Sequence, residues 1–124
     1  MPAEASVDHF TWVIDDDPAI LQVVSRRLEA DGWRVRTFAA AEPALEALAS
    51  GAPIAAVLDN GLPGMMGLQA LPRLAAAGVR VVMITAYPSE EVHKDALLLG
   101  AQDFMVKPMD LDELTRRLRA LFDR

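Results

Sequence analysis

The chain has 124 residues, of which 52% are hydrophobic, and a formal net charge of −6 at pH 7. This length and composition indicate one folded domain and exclude a disordered chain. The acidic balance argues against direct nucleic-acid binding by this domain, because phosphate contacts need a dense basic surface. No apolar run approaches the roughly 20 residues that a membrane span requires, so we expect no membrane partner. The absence of cysteine excludes disulfides and thiolate chemistry.

The amino-terminal residues 1–8 have neither the basic segment nor the apolar segment of a secretory signal. We therefore expect 1–8 to be a flexible leader and 9–124 to be the folded domain. The missing signal and the missing cysteines together favour a cytoplasmic location.

Short segments rich in β-branched and aromatic residues alternate along the chain with segments whose apolar residues recur at helical spacing. The predicted strands are, in chain order, Phe10–Ile14, Trp33–Phe38, Ala55–Leu58, Val79–Thr85 and Phe104–Val106. The predicted helices follow them, beginning at Pro18, near Pro43 with an end near Ala49, at about Gly67, after Ser89 and after Asp110. Five βα units in succession predict an α/β fold, with a doubly wound parallel sheet and helices on both faces.

Local capping signals indicate where three of these helices begin. Asp17, Ser89 and Asp110 are acceptors of the kind that cap the first, fourth and fifth helices. The second helix lacks such a residue. Pro72 would break the third helix, predicted from Gly67 to about Ala76, unless the helix begins near Leu68 or Gln69. The proline would then lie in the first turn, where backbone donors have no intrahelical partner.

Polar side chains follow four of the five predicted strands at their carboxyl ends. These ends meet at one edge of a parallel sheet, and with the strand order 2-1-3-4-5 the acids after the first and third strands face each other. The residues are Asp15 and Asp16 after the first strand, Asp59 after the third, Thr85 after the fourth and Lys107 after the fifth.

Each of these residues alone has a simpler interpretation. Asp59 precedes Asn60 and Gly61 and could merely start a turn. Thr85 and Lys107 could be an ordinary strand threonine and a surface lysine. Their joint placement at matching strand ends favours a ligand site. Three crowded carboxylates repel one another and raise their own pKa values unless a cation enters, and Mg²⁺ suits carboxylates together with phosphate oxygens.

The sequence resembles the receiver domain of two-component response regulators over about Phe10 to Phe122. The segments that carry the resemblance are Val13–Pro18, Val57–Gly64 with Gly67, Met83–Ala86 and Gly100–Pro108. The resemblance implies the flavodoxin-like (βα)5 fold with strand order 2-1-3-4-5, and a cis peptide bond before Pro108.

The resemblance also implies a role for each site residue. Asp59 would be the phosphoacceptor. Mg²⁺ would be bound by Asp15, Asp16, Asp59 and the backbone carbonyl of Gly61. The implied phosphate contacts are Lys107, Thr85, Ala86 and Asn60, and the implied switch pair is Thr85 and Phe104.

The implied function is a phosphorylatable signalling switch that catalyses only its own Mg²⁺-dependent phosphorylation and dephosphorylation. Its implied partners are a sensor histidine kinase or histidine phosphotransfer protein, and a second copy of the chain through the fourth helix, fifth strand and fifth helix. Two alternatives stay open. An aspartate-nucleophile phosphatase would need a second acid where Gly61 stands and a substrate-covering domain. A phosphorylation-independent interaction module usually lacks one of the five site residues, whereas this chain keeps them all.

One apolar residue falls on the polar side of the fourth helix. Leu98 shares that side with Lys94 and Asp95, while the buried stripe is predicted from the residues at helical spacing, Val92, Ala96 and Leu99. Leu98 is therefore either a lone exposed leucine or part of a dimer or partner surface.

Overall fold

A parallel sheet of five strands forms the centre of the computed structural model, which describes residues 9–122. The strands are β1 (Phe10–Ile14), β2 (Arg34–Phe38), β3 (Ala55–Asp59), β4 (Arg80–Thr85) and β5 (Asp103–Val106). They lie in the order β2-β1-β3-β4-β5, and every neighbouring pair is parallel. The predicted fold class and strand order are confirmed. The predicted leader, 1–8, lies outside the described residues.

Helices cover both faces of this sheet. They are α1 (Pro18–Ala30), α2 (Ala41–Ala47), α3 (Gly67–Ala76), α4 (Glu90–Leu98) and α5 (Leu111–Ala120), and a short 3₁₀ turn, Leu48–Ser50, follows α2. One core cluster joins the sheet to α2, α3 and α4, and a second joins the opposite face to α1 and α5. Within residues 9–122, no helix combines the length and the apolar character needed to cross a membrane.

The central strand β3 is buried at all five positions, because helices lie over both of its faces. Its side chains alternate between the two core clusters: Leu58 belongs to the cluster under α2, α3 and α4, and Val57 to the cluster under α1 and α5. The strand therefore holds its last residue, Asp59, in a rigid frame.

The predicted helix caps are confirmed. The side chain of Asp17 accepts a hydrogen bond from the N–H of Ala19 at 2.9 Å, and Ser89 Oγ accepts one from Val92 at 3.0 Å. Asp110 Oδ1 accepts from the N–H of Asp112 at 2.8 Å and caps α5 in the same way. As predicted, α2 has no side-chain cap.

The predicted start of the second helix and the predicted place of Pro72 are wrong, whereas the predicted third helix, Gly67 to about Ala76, is confirmed. The second helix begins at Ala41, not near Pro43, since Ala41 joins Ala44 and Leu45 in the buried face, and its end tightens into the 3₁₀ turn. Pro72 lies inside α3, because that helix begins at Gly67. The proline ring is on the exposed side of the helix, where water can replace the lost backbone hydrogen bond.

The buried stripe of α4 is shorter than predicted. Ala96 is fully buried and Val92 is partly buried, but Leu99 is 39% exposed. Leu99 is the C-cap, with ψ near 0°, so the helical spacing no longer directs its side chain towards the sheet. Leu98 is 77% exposed, in agreement with its predicted place on the polar side.

Candidate functional site

The predicted site residues meet at the carboxyl edge of the sheet. Asp59 is the last residue of β3, and Asp15 and Asp16 directly follow β1. Because Ile14 pairs with Leu58 in the β1–β3 register, Asp15 lies beside Asp59. One carboxylate oxygen from each of the three acids lies within 4.8 Å of the other two.

Lys107 reaches into this acidic cluster from the end of β5. Its Nζ is 2.6 Å from Asp15 Oδ2 and 3.5 Å from Asp59 Oδ2. The backbone supports this position, because the N–H of Lys107 donates to the carbonyl of Thr85 at 2.8 Å. The peptide bond between Lys107 and Pro108 is cis, as the family resemblance implied.

Burial and crowding change the acid–base behaviour of the cluster. Burial raises the pKa of Asp59, and the neighbouring charge of Asp15 raises it further, while Lys107 and a hydrogen bond from the backbone of Gly61 oppose the rise. Burial lowers the pKa of Lys107, but its close contact with Asp15 and the charge of Asp59 outweigh that effect, so the pKa of Lys107 is raised. The lysine therefore stays charged.

The two oxygens of the buried Asp15 carboxylate face a backbone N–H and the Lys107 ammonium. Its Oδ1 accepts a hydrogen bond from the N–H of Asp17 at 2.9 Å. Its Oδ2 has the ion pair with Lys107, yet no group among residues 9–122 gives it a hydrogen bond of good geometry. Asp15, Asp16 and Asp59 together form an all-oxygen donor set, which fits a hard cation such as Mg²⁺.

A tight contact between β3 and the start of α3 positions Asp59. A Cβ on Gly67 would lie 2.4 Å from the carbonyl oxygen of Asp59 and 2.8 Å from the Cα of Asn60, so only glycine fits there. Asn60 holds the same junction: its Oδ1 accepts from the N–H of Leu68 at 2.9 Å, and its carbonyl accepts from Gly67 at 3.1 Å. This role of Asn60 was not predicted, because it depends on the contact of its side chain with the N–H of Leu68.

Asn60 and Gly61, in the loop after β3, differ in where their backbone donors point. The N–H of Asn60 donates to the carbonyl of Ile84 at 2.9 Å, so both this N–H and the side-chain oxygen have protein partners. The N–H of Gly61 instead hydrogen-bonds to Asp59. Gly61 is therefore the loop residue whose backbone donor faces the carboxylate.

The two predicted switch residues lie on neighbouring strands. Thr85 is buried at the end of β4, and its Oγ1 accepts a hydrogen bond from the N–H of Tyr87 at 3.1 Å. Ala86, between them, is exposed. Phe104 is half-buried on β5 and stacks on the imidazole of His93 in α4, with ring centroids 4.5 Å apart. Phe104 thus has one ring face against a residue of α4.

The fold and this cluster agree with what the chain is similar to. A family model described as the response regulator receiver domain matches residues 11–119. The probable transcriptional regulatory protein TcrX of Mycobacterium tuberculosis is 35% identical over 114 residues, which cover 90% of this chain and 49% of that protein.

Solved structures that resemble this chain are also receiver domains. A CheY-like response regulator receiver domain protein from Methanospirillum hungatei JF-1 superposes with a TM-score of 0.86 at 28% identity, covering 90% of this chain and 91% of that one. The BeF3-activated DrrB receiver domain has a TM-score of 0.85 at 28% identity, covering 93% of this chain and 97% of that one.

The chain belongs to the receiver domain family of two-component response regulators. It is a phosphorylatable signalling switch, and receiver domains bind Mg²⁺ at an acidic pocket of the kind formed by Asp15, Asp16 and Asp59. The chain spans about half the length of the curated relatives it matches, 49% in the case of TcrX.

Proposed function

We propose that Asp59 accepts a phosphoryl group from the phosphohistidine of a sensor histidine kinase or a histidine phosphotransfer protein. The observation that carries this proposal is the position of the Asp59 carboxylate, with Lys107 Nζ 3.5 Å away and two further acids within 4.8 Å. A nucleophile, a fixed cation and a metal-binding acid pair are the parts that phosphoryl transfer needs.

In the proposed transfer, a carboxylate oxygen of Asp59 attacks phosphorus in line with the donor nitrogen. The phosphorus–oxygen bond forms as the phosphorus–nitrogen bond breaks, and the electron pair leaves with the imidazole of the donor. Lys107 balances the charge on the phosphoryl oxygens, and the backbone N–H groups of Gly61 and Ala86 are donors for the same oxygens. Hydrolysis of the acyl phosphate by water would reset the domain.

Asp15, Asp16, Asp59 and the carbonyl of Gly61 are the proposed Mg²⁺ ligands, because they offer the hard oxygen donors that this ion takes. When bound, Mg²⁺ would neutralise charge on the phosphoryl oxygens. Repulsion between Asp15 and Asp59 raises the pKa of Asp59, and a bound cation would relieve that repulsion. We place the exchange in the cytoplasm, in keeping with a chain that has no cysteine.

The proposed readout begins at Thr85. Its hydroxyl now accepts from the N–H of Tyr87, and it would turn to donate to a phosphoryl oxygen. Phe104 would then move into the space that Thr85 leaves, and the surface of α4, β5 and α5 would change. That surface is the proposed contact for a second copy of the chain or for a linked output domain.

Leu98 offers a separate test of the dimer surface. It is 77% exposed on α4, so a charge there would oppose burial against a partner. Leu98→Glu should weaken self-association of the phosphorylated domain, measured by sedimentation equilibrium. Gln22→Glu, an exposed change on α1, is the matched control. An association constant that Leu98→Glu leaves unchanged would exclude Leu98 from the interface.

The phosphoacceptor is tested by incubating the domain with acetyl phosphate, with and without Mg²⁺, and recording intact mass. The proposal predicts one added phosphoryl group that needs Mg²⁺ and is absent from Asp59→Asn. Turnover of added phosphate esters would favour the phosphatase alternative instead. No adduct under any condition would favour a phosphorylation-independent interaction module.

A further inference from the structure

The switch aromatic has a stacking partner whose role the site chemistry does not explain. The rings of His93 and Phe104 are 4.5 Å apart and nearly parallel, with an interplanar angle of 15°. Every other ring pair within residues 9–122 is tilted or edge-on, at 57° to 88°. Phe104 also packs against the core cluster under α2, α3 and α4. The imidazole therefore covers one face of a ring that would otherwise meet solvent.

Hydrogen bonds connect Thr85 to the turn that leads into α4, the helix that contains His93. Thr85 Oγ1 accepts from the N–H of Tyr87 at 3.1 Å, and two residues later Ser89 caps α4. The N–H of His93 donates to the carbonyl of Ser89 at 3.0 Å in the first turn of that helix. A movement of the Thr85 hydroxyl would therefore act on the segment that carries His93.

We infer that His93 is a positioning residue of the switch: its imidazole holds Phe104 in the outward, half-buried position while Asp59 carries no phosphoryl group. The inference rests on the proposed function, since it assigns the resting position of a residue in that switch. Phosphorylation would release the stack when the Thr85 hydroxyl leaves Tyr87. His93 thereby opposes activation until the phosphoryl group is present, because a contact made in one state alone shifts the balance towards that state.

The stack can be observed directly, because the chain has only two histidines, His9 and His93. We expect the ring C–H signals of His93 in ¹H–¹³C NMR spectra to be shifted by the Phe104 ring current, and His93→Gln assigns them. Phe104→Leu should abolish the shift. Addition of Mg²⁺ with beryllium fluoride, a phosphoryl mimic, should abolish it in the wild type at the same pH. A shift that persists with Asp59 occupied would overturn the inference.

Substitution of His93 tests its effect on the switch. His93→Ala should favour the inward position of Phe104 by about 2- to 10-fold, the size expected from loss of one aromatic pair. The rate of acetyl phosphate labelling at Asp59 should rise by a similar factor if the inward position is coupled to phosphorylation. His93→Phe keeps a stacking ring and should restore the wild-type rate, and Lys94→Ala is the control for an exposed change on the same helix.

The failure of this inference can be separated from failure of the proposed function. If the wild type takes a phosphoryl group on Asp59 but His93→Ala and His93→Phe label at the wild-type rate, His93 has no positioning role and the proposed function stands. If the wild type takes no phosphoryl group on Asp59, both proposals are wrong. Circular dichroism of each variant checks that α4 is intact.

Discussion

Gly67→Ala should disturb the acidic site although Gly67 is not one of its residues, because the added Cβ would displace the backbone of Asp59. The added Cβ would lie 2.4 Å from the carbonyl oxygen of Asp59, about 1 Å closer than the ~3.5 Å at which such contacts become favourable. The obstructing atoms are backbone, so no side-chain rotation relieves the clash. We expect a loss of roughly 2–3 kcal/mol, the upper part of the range for overpacking, partly offset by the better helix propensity of alanine.

The assay is urea unfolding followed by far-ultraviolet circular dichroism, together with the rate of acetyl phosphate labelling. Gly61→Ala is the matched control, because its Cβ would have as its nearest neighbour Asp59 Oδ2 at 3.9 Å, an ordinary contact. Gly67→Ala should lower both the unfolding midpoint and the labelling rate, whereas Gly61→Ala should keep the midpoint. Equal midpoints for the two variants would refute the claim that close packing of α3 against the end of β3 fixes Asp59.

Three further predictions concern charge. The folded pKa of Asp59 is raised, so the folded state loses stability as pH rises through that pKa. Asp59→Asn should therefore raise the melting temperature at pH 7, and the gain should fade below about pH 4, where the unfolded acid is also protonated; a gain independent of pH would contradict this reasoning. Mg²⁺ should stabilise the wild type against thermal unfolding, by about 2.7 kcal/mol at 100 times the wild-type dissociation constant. At that same Mg²⁺ concentration Asp16→Asn should be stabilised less, and equal stabilisation would remove Asp16 from the ligand set. Arg80 lies 4.7 Å from the centre of the Phe122 ring and donates to the carbonyl of Leu121, so Arg80→Met should cost about 1–2 kcal/mol in urea unfolding, and Arg26→Met, an exposed change on α1, should cost less.

Local signals were enough to predict the architecture. Asp17, Ser89 and Asp110 cap their helices with their own side chains, so the sequence around each one carries the information. The run that ends at Asp59 is apolar at successive positions, so both of its faces must be covered by helices. A strand covered on both faces is typical of the centre of a parallel sheet. The strand ends then bring Asp15 and Lys107 together, whose contact is 2.6 Å.

The features that could not be predicted depend on contacts between distant segments. The place of Pro72 inside α3 was not predicted, because it depends on how Asn60 holds the start of that helix, by accepting from the N–H of Leu68 eight residues later. The need for glycine at position 67 arises at the same junction, where a Cβ would meet the backbone of Asp59. The stack of His93 on Phe104 joins a helix to a strand, and only the packing of α4 against β5 reveals it.

The most direct test of the central claim is a crystal structure of the domain with Mg²⁺ and beryllium fluoride. We expect one beryllium fluoride on the Asp59 carboxylate, with Lys107 and the Thr85 hydroxyl in contact with it and Mg²⁺ on Asp15 and Asp16. Beryllium fluoride bound elsewhere, or bound to Asp59 with Lys107 still paired to Asp15 and Thr85 still accepting from Tyr87, would contradict it.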